Sequence, residues 1–201
     1  MLSEIATMRL VSQKTSIPVP TVYVFDCEAT NHFGFPYMFM SALPGKVLKD
    51  QFAFSVPPKF QPKIASQMAA YIKQLSEITF PEIGQIWTGP DFNEAPQIAP
   101  FVLSEDAIGP FNSSRAYFYG IQREINEAIH DEHSDKDNWP QWLRYCQIFT
   151  EAIPLMVYSD LRRGPFPLHH RDFHFKNILV DDNFNITGVL DWTGARTVPW
   201  G

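Results

Sequence analysis

The chain has 201 residues, 45% hydrophobic and 19% charged, enough apolar chain for one substantial core in a soluble globular protein. A formal net charge of −6 without any Lys/Arg-rich run excludes the electrostatics that nucleic acid or an anionic membrane requires, and no apolar run is long enough to span a bilayer. Cys27 and Cys146 form no CxxC pattern, and the start MLSEIATMRLV lacks a signal peptide's charged and apolar regions, so buried free thiols in a cytoplasmic protein are expected.

In chain order, Leu2, Ile5, Met8 and Val11 recur every three residues and predict a helix over 2–13 with one apolar face. Pro18 and Pro20 forbid helix, so a strand is expected at 21–25, followed by a second one at FPYMFM and a break at Pro44 and Gly45. Ile64, Met68, Ile72, Leu75 and Ile78 predict an amphipathic core helix over 62–79. Residues 80–112 hold too many Gly and Pro for anything but loops with short strands. Ser113 or Ser114 is placed to cap a helix to about 129, and a second helix begins near Asp137 or Asn138 and runs to about 153, with Trp142, Cys146, Phe149 and Ile153 on one stripe. The connecting HDEHSDKD contains His130 and His133 and reads as a solvated link, because no third ligand stands at metal spacing.

The chemistry concentrates in HHRDFHFKNILVDDNFNITGVLDW, residues 169–192. Two β-branched, aliphatic runs flank the turn formers Asp181, Asp182, Asn183 and Asn185, so a hairpin with its tip near Asn183 and Phe184 is expected. Counting outward from that tip places Asn177 opposite Asp191, and Asp172 lies five residues earlier on the loop that feeds the hairpin. An Asp to take a hydroxyl proton, with an Asn and a second Asp to hold magnesium, are the parts that phosphoryl transfer needs.

HRDFHFKN followed by ILVDDNFNITGVLDW resembles the catalytic signature of the aminoglycoside phosphotransferase and choline kinase-like families. The resemblance implies an α+β, protein-kinase-like fold: a partial small lobe of helix and β-hairpin over 1–45, and a mostly helical large lobe over 46–201 that carries the catalytic-loop hairpin. It implies Asp172 as catalytic base, His170 as brace of the loop, and Asn177 and Asp191 as ligands of Mg2+. ATP is the implied co-substrate and a small-molecule hydroxyl the acceptor. Glu4 would pair with the ATP-binding lysine, and the backbone at Ser41, Ala42 and Leu43 would bond the adenine. The family usually has Gly where Arg171 stands and Pro-Gly where Phe175 and Lys176 stand, while His170, Asp172, His174, Asn177 and Asp191 match.

No glycine-rich phosphate loop and no lysine-bearing strand before the first helix occur, and only ten residues follow Asp191. By the resemblance the domain is incomplete at both ends, with weakened catalysis, marginal stability and a tendency to aggregate as expected consequences. The rival reading is a non-catalytic, pseudokinase-like fragment acting as a binding module. A third is a metal-dependent hydrolase built on His170, Asp172 and His174.

Overall fold

The computed structural model describes residues 1–48, 56–102, 107–130, 139–156 and 163–200. Its helices are α1 (Leu2–Lys14), α2 (Gln61–Glu77), α3 (Ser114–His130) and α4 (Trp139–Met156). Its strands are β1 (Val22–Asp26), β2 (Tyr37–Met40), β3 (Lys46–Val47), β4 (Thr79–Phe80), β5 (Gln85–Trp87), β6 (Gln97–Ala99), β7 (Phe101–Val102), β8 (Ala107–Ile108), β9 (Phe166–His169), β10 (Ile178–Val180), β11 (Ile186–Val189) and β12 (Arg196–Thr197). Two compact units result: Met1–Ile78 with Ile86–Gln97 and Leu168–Arg196, and Thr79–Gln85 with Ile98–Pro167 and Thr197–Gly201.

In the first unit, α1 follows its predicted span but buries more than one face. Ile5 and Val11 are fully buried, as expected, and Ala6, Thr7 and Leu10 are buried as well, so apolar contact wraps most of the helix. Glu4 in the first turn and Lys14 in the last suit the helix dipole. The helix stops where Thr15 becomes extended and donates both its N–H and its hydroxyl to the Val11 carbonyl.

Strands β1 and β2 form the expected antiparallel hairpin, pairing Val24 with Phe39 and Asp26 with Tyr37. On its other face Phe25 meets Phe92 edge-on at 5.1 Å, and Arg9 lies over the Phe92 ring at 4.5 Å. The first face stays open: Phe33 contacts Phe35 and Tyr37, Tyr37 contacts Phe39, and Val24, Phe33, Phe35 and Phe39 are all more than half exposed.

Strand β10 lies between β11 and β3 in a three-stranded antiparallel sheet. The hairpin tip is where the sequence places it: Asp181 accepts from the backbone N–H groups of Asn183 and Asn185 and from the Asn185 side-chain amide, which holds its carboxyl below the usual carboxylate range. The register, however, differs from simple counting. Ile178 pairs with Val189 and Leu179 with Gly188, but Val180 pairs with Ile186, a bulge that moves the strand by one residue. The Ile178–Val189 pairing, continued by one residue, sets Asn177 opposite Leu190, whose N–H donates to its carbonyl at 2.8 Å; Asp191, the partner expected from the count, lies one residue beyond.

Helix α2 ties this hairpin down with polar groups, beside a ring contact of Phe60, just before the helix, with Phe184 at 4.7 Å. Gln67 accepts from the Ile186 N–H and donates to the Phe184 carbonyl, and Lys63 donates to the Asn183 carbonyl. Farther along, Gln74 accepts from both the N–H and the hydroxyl of Ser16. Ile64 and Leu75 are buried as core, but Ile72 is 52% exposed, which corrects its assignment to the core face. Periodicity shows that residues share a stripe and does not show how wide a stripe is covered.

In the second unit, β4 pairs with β9 and β7 with β8, the short strands expected between breakers. Ile83, Phe101, Ile108 and Phe166 make a buried cluster against which Phe111, Tyr117 and Ile121 pack. Ser113 caps α3 by accepting from the Ala116 N–H. The cap foreseen at Asp137 or Asn138, and His133, lie outside the described residues. On α4, Cys146 and Ile153 are buried, but Trp142 of the same stripe is 53% exposed. Cys27, by contrast with the expectation of two buried thiols, is half-buried. Among the described residues, no helix is long and apolar enough to cross a membrane.

Candidate functional site

The loop after β9 is wound by its own backbone. Asp172 N–H donates to His170 O, His174 N–H to Asp172 O, and Asn177 N–H to His174 O, three short-range bonds that pull residues 170–177 into successive turns. His170 enters the interior and is fully buried. Its Nε2 lies 3.0 Å from the Leu190 carbonyl, and its ring meets Trp192 at 4.4 Å and Phe173 at 5.6 Å. As Nε2 faces an acceptor it carries the proton, so Nδ1 is left as a bare lone pair, without a partner in the structure. One bond thus ties the loop to the end of the hairpin.

Asp172 is exposed and held on both carboxylate oxygens. Asn177 Nδ2 donates to Asp172 Oδ2 at 3.1 Å and to the Asp172 carbonyl at 3.0 Å, and His174 Nε2 lies 3.2 Å from Asp172 Oδ1. His174 Nδ1 accepts from the Lys176 N–H at 3.2 Å, capping the short 3-10 turn Phe175–Asn177, which leaves Nε2 as the protonated end. With both Nδ2 hydrogens given to Asp172, the oxygen of Asn177 is the end of the amide free to meet a cation.

Asp191 sits just past β11 with φ 58°, left-handed, and its Oδ1 accepts weakly from the Thr193 N–H at 3.4 Å. Here the structure adds a neighbour that the sequence did not indicate. Burial raises the Glu4 carboxyl above its ordinary range; the chain's amino terminus and a bond with the Thr193 side chain oppose this, and the nearby charge of Asp191 reinforces it. Glu4 is thus brought to the turn that carries Asp191. Thr193 follows the D-W of the signature, and only its place in the motif could have drawn attention to it.

In the same unit, Ser41 donates its N–H to the Thr21 carbonyl and its Oγ accepts from the Thr21 N–H, both at 2.9 Å. These two bonds close the open end of the β1–β2 hairpin at Ser41, and Ala42 and Leu43 follow directly. Leu43 packs over Gly188, where an added Cβ would stand 2.9 Å from its Cδ1. Among the described residues no group of three or more His, Cys, Asp or Glu is placed to hold a metal, which removes the support for a hydrolase centre on His170, Asp172 and His174. One carboxylate with one amide oxygen is instead a hard-oxygen pair suited to magnesium, which keeps several of its waters.

Burial lowers the pKa of His170 and, with the added charge of Arg196, that of His169. Below their unfolded value of about 6.5 the unfolded chain takes up protons that the folded chain refuses. Stability should therefore be flat above about pH 7.5 and fall as pH drops through 6.5. Urea midpoints between pH 7.5 and 5.5 measure this, and a midpoint that stays constant or rises on acidification contradicts it.

The profile of the phosphotransferase enzyme family matches residues 1–200, and the chain belongs to that family. It is 29% identical over 203 residues to clavilactone A biosynthesis cluster protein Y of Ampulloclitocybe clavipes, covering 94% of this chain and 48% of that protein. A subtelomeric hrmA-associated cluster protein of Aspergillus fumigatus is 27% identical over 118 residues, 59% of this chain and 22% of that one. The chain thus spans about half the length, or less, of these curated relatives. Among solved structures, aminoglycoside phosphotransferase APH(4)-Ia in a ternary complex with ADP and hygromycin B matches with a TM-score of 0.60 at 18% identity, over 97% of this chain and 57% of that one. Macrolide 2'-phosphotransferase type I matches with a TM-score of 0.50 at 11% identity, over 98% and 54%. These likenesses show the mixed α/β, kinase-like fold.

Proposed function

We propose that this chain carries the site of an ATP- and Mg2+-dependent kinase that transfers a γ-phosphoryl group to a hydroxyl of a small cytoplasmic molecule. The observation that carries the reading is the Asp172–Asn177 pair: the amide's donor end is spent on Asp172, which orients both side chains at once. Asp172 takes the proton of the acceptor hydroxyl as the new O–P bond forms and the bond from the γ-phosphorus to the bridging oxygen breaks. His174 and Asn177 hold that carboxylate in place. His170 keeps the loop against the hairpin. Asn177 and Asp191 would hold magnesium, which when bound neutralises phosphate charge. The backbone at Ser41, Ala42 and Leu43 would receive the adenine, with residues 1–45 as part of a small lobe and 46–201 of a large one.

A second reading, a non-catalytic binding module, is favoured by one observation. Among the described residues Glu4 stands beside Thr193 and Asp191, so the first helix is already tied to the turn that follows the hairpin.

A thermal-shift titration with ATP and magnesium, run beside Asp191→Ala, separates the two. A ligand that binds only the folded state raises stability by about 2.7 kcal/mol at a hundred times its dissociation constant. The kinase reading expects a magnesium-dependent rise in Tm that Asp191→Ala abolishes. A cooperatively folded chain that shows no rise is a non-catalytic module.

A further inference from the structure

Arg171 stands between the buried His170 and the exposed Asp172, and its backbone is left-handed at φ 69°. A side chain beyond glycine is disfavoured in that conformation, and such strain gathers at functional positions. The backbone is fixed there by the Arg171 N–H, which donates to His169 Nδ1 at 2.9 Å. Its side chain folds over Gly194, itself left-handed at φ 76°: a Cβ at residue 194 would lie 2.9 Å from Arg171 Nη1 and 3.2 Å from its Cδ. The guanidinium is therefore held against the turn that begins at Asp191.

This cation has no carboxylate in ion-pair reach among the described residues. It is exposed, and three acidic groups, Glu4, Asp172 and Asp191, belong to the same loop and turn or lie beside them. A guanidinium presents five N–H donors in a planar fork that matches two oxygens of a phosphate or carboxylate. An arginine strained into place, seated on a glycine and without a side-chain partner among the described residues is set to receive an oxyanion from outside.

We propose that Arg171 is an oxyanion-binding residue of this site, presenting its guanidinium to a phosphate group beside the Asp191 turn. The proposal rests on the kinase reading and extends it. The phosphate belongs either to the nucleotide or to an acceptor that is itself phosphorylated, and the experiment separates these sources.

Wild type, Arg171→Lys and Arg171→Gly are titrated calorimetrically with ADP and magnesium, with adenosine, and with inorganic phosphate added to chain already saturated with ADP and magnesium. Losing a charge-assisted pair weakens binding by about tenfold to a hundredfold. If the nucleotide is the source, ADP binding weakens by that factor in Arg171→Gly while adenosine binding holds. If the acceptor is the source, ADP binding is unchanged and the phosphate that binds the ADP-saturated wild type is lost. Lysine restores part of either effect. The melting temperature of Arg171→Gly should equal or exceed that of wild type, because glycine relaxes at φ 69°. Arg171→Gly binding both ADP and phosphate as wild type does would overturn the proposal and make Arg171 a clamp on the turn, with the kinase reading intact. Wild type that binds neither ADP nor phosphate would bring down both.

Discussion

Trp192→Ala should lower stability by about 3–5 kcal/mol, a large fraction of the total for a protein of this size. Trp192 is the largest of the fully buried side chains, 1% exposed. Its Nε1 donates to the Val189 carbonyl at 3.0 Å, and its ring is an edge-on neighbour of His170. The substitution removes the wall against which His170 stands and opens a cavity under the loop that carries Asp172. Urea unfolding measures the loss. The nucleotide-dependent thermal shift should weaken in parallel, because the loop can no longer hold Asp172 and Asn177 in their mutual bonds. A cost under about 1 kcal/mol would show that Trp192 does not anchor the loop.

Gly45→Ala should cost about 3 kcal/mol or more, although it adds a single methyl group. At φ 118° the residue is already in a region reserved for glycine, and the new Cβ would stand 2.5 Å from Thr187 Oγ1 and 2.7 Å from the Val180 carbonyl. Neither neighbour is at liberty to retreat: the Thr187 hydroxyl donates to the Pro44 carbonyl, and Val180 is paired with Lys46 across the sheet. Gly34→Ala is the control. It too is left-handed, at φ 73°, but its Cβ would meet nothing within 4 Å, so only backbone strain of about 1–2 kcal/mol applies. Denaturant midpoints for the two variants that fall together would mean that the crowding at Gly45 relaxes without cost.

Much of the site was legible because its determinants are local. The tip at Asn183 and Phe184, the turns from His170 to Asn177, and the family signature all depend on residues within a few positions of each other. The bulge was not legible. It occurs where Gln67, more than a hundred positions away, takes up the Ile186 N–H and the Phe184 carbonyl, and a count from the turn has no access to that partner. Ile72 and Trp142 failed for a related reason: apolar spacing marks a stripe, while exposure depends on what lies opposite. Arg171 illustrates a third limit. Glycine at that position in the family hints at a left-handed backbone, but the seat of its side chain on Gly194 exists only in the folded chain.

The open row of Phe33, Phe35, Tyr37 and Phe39 along one face of the β1–β2 hairpin also governs how the protein behaves in solution. Salts excluded from protein surfaces, such as ammonium sulfate, strengthen apolar burial, and a bare aromatic ladder is the first surface on which that pressure acts. The chain should salt out early, and its colloidal limit should be set by these few rings rather than by its net charge.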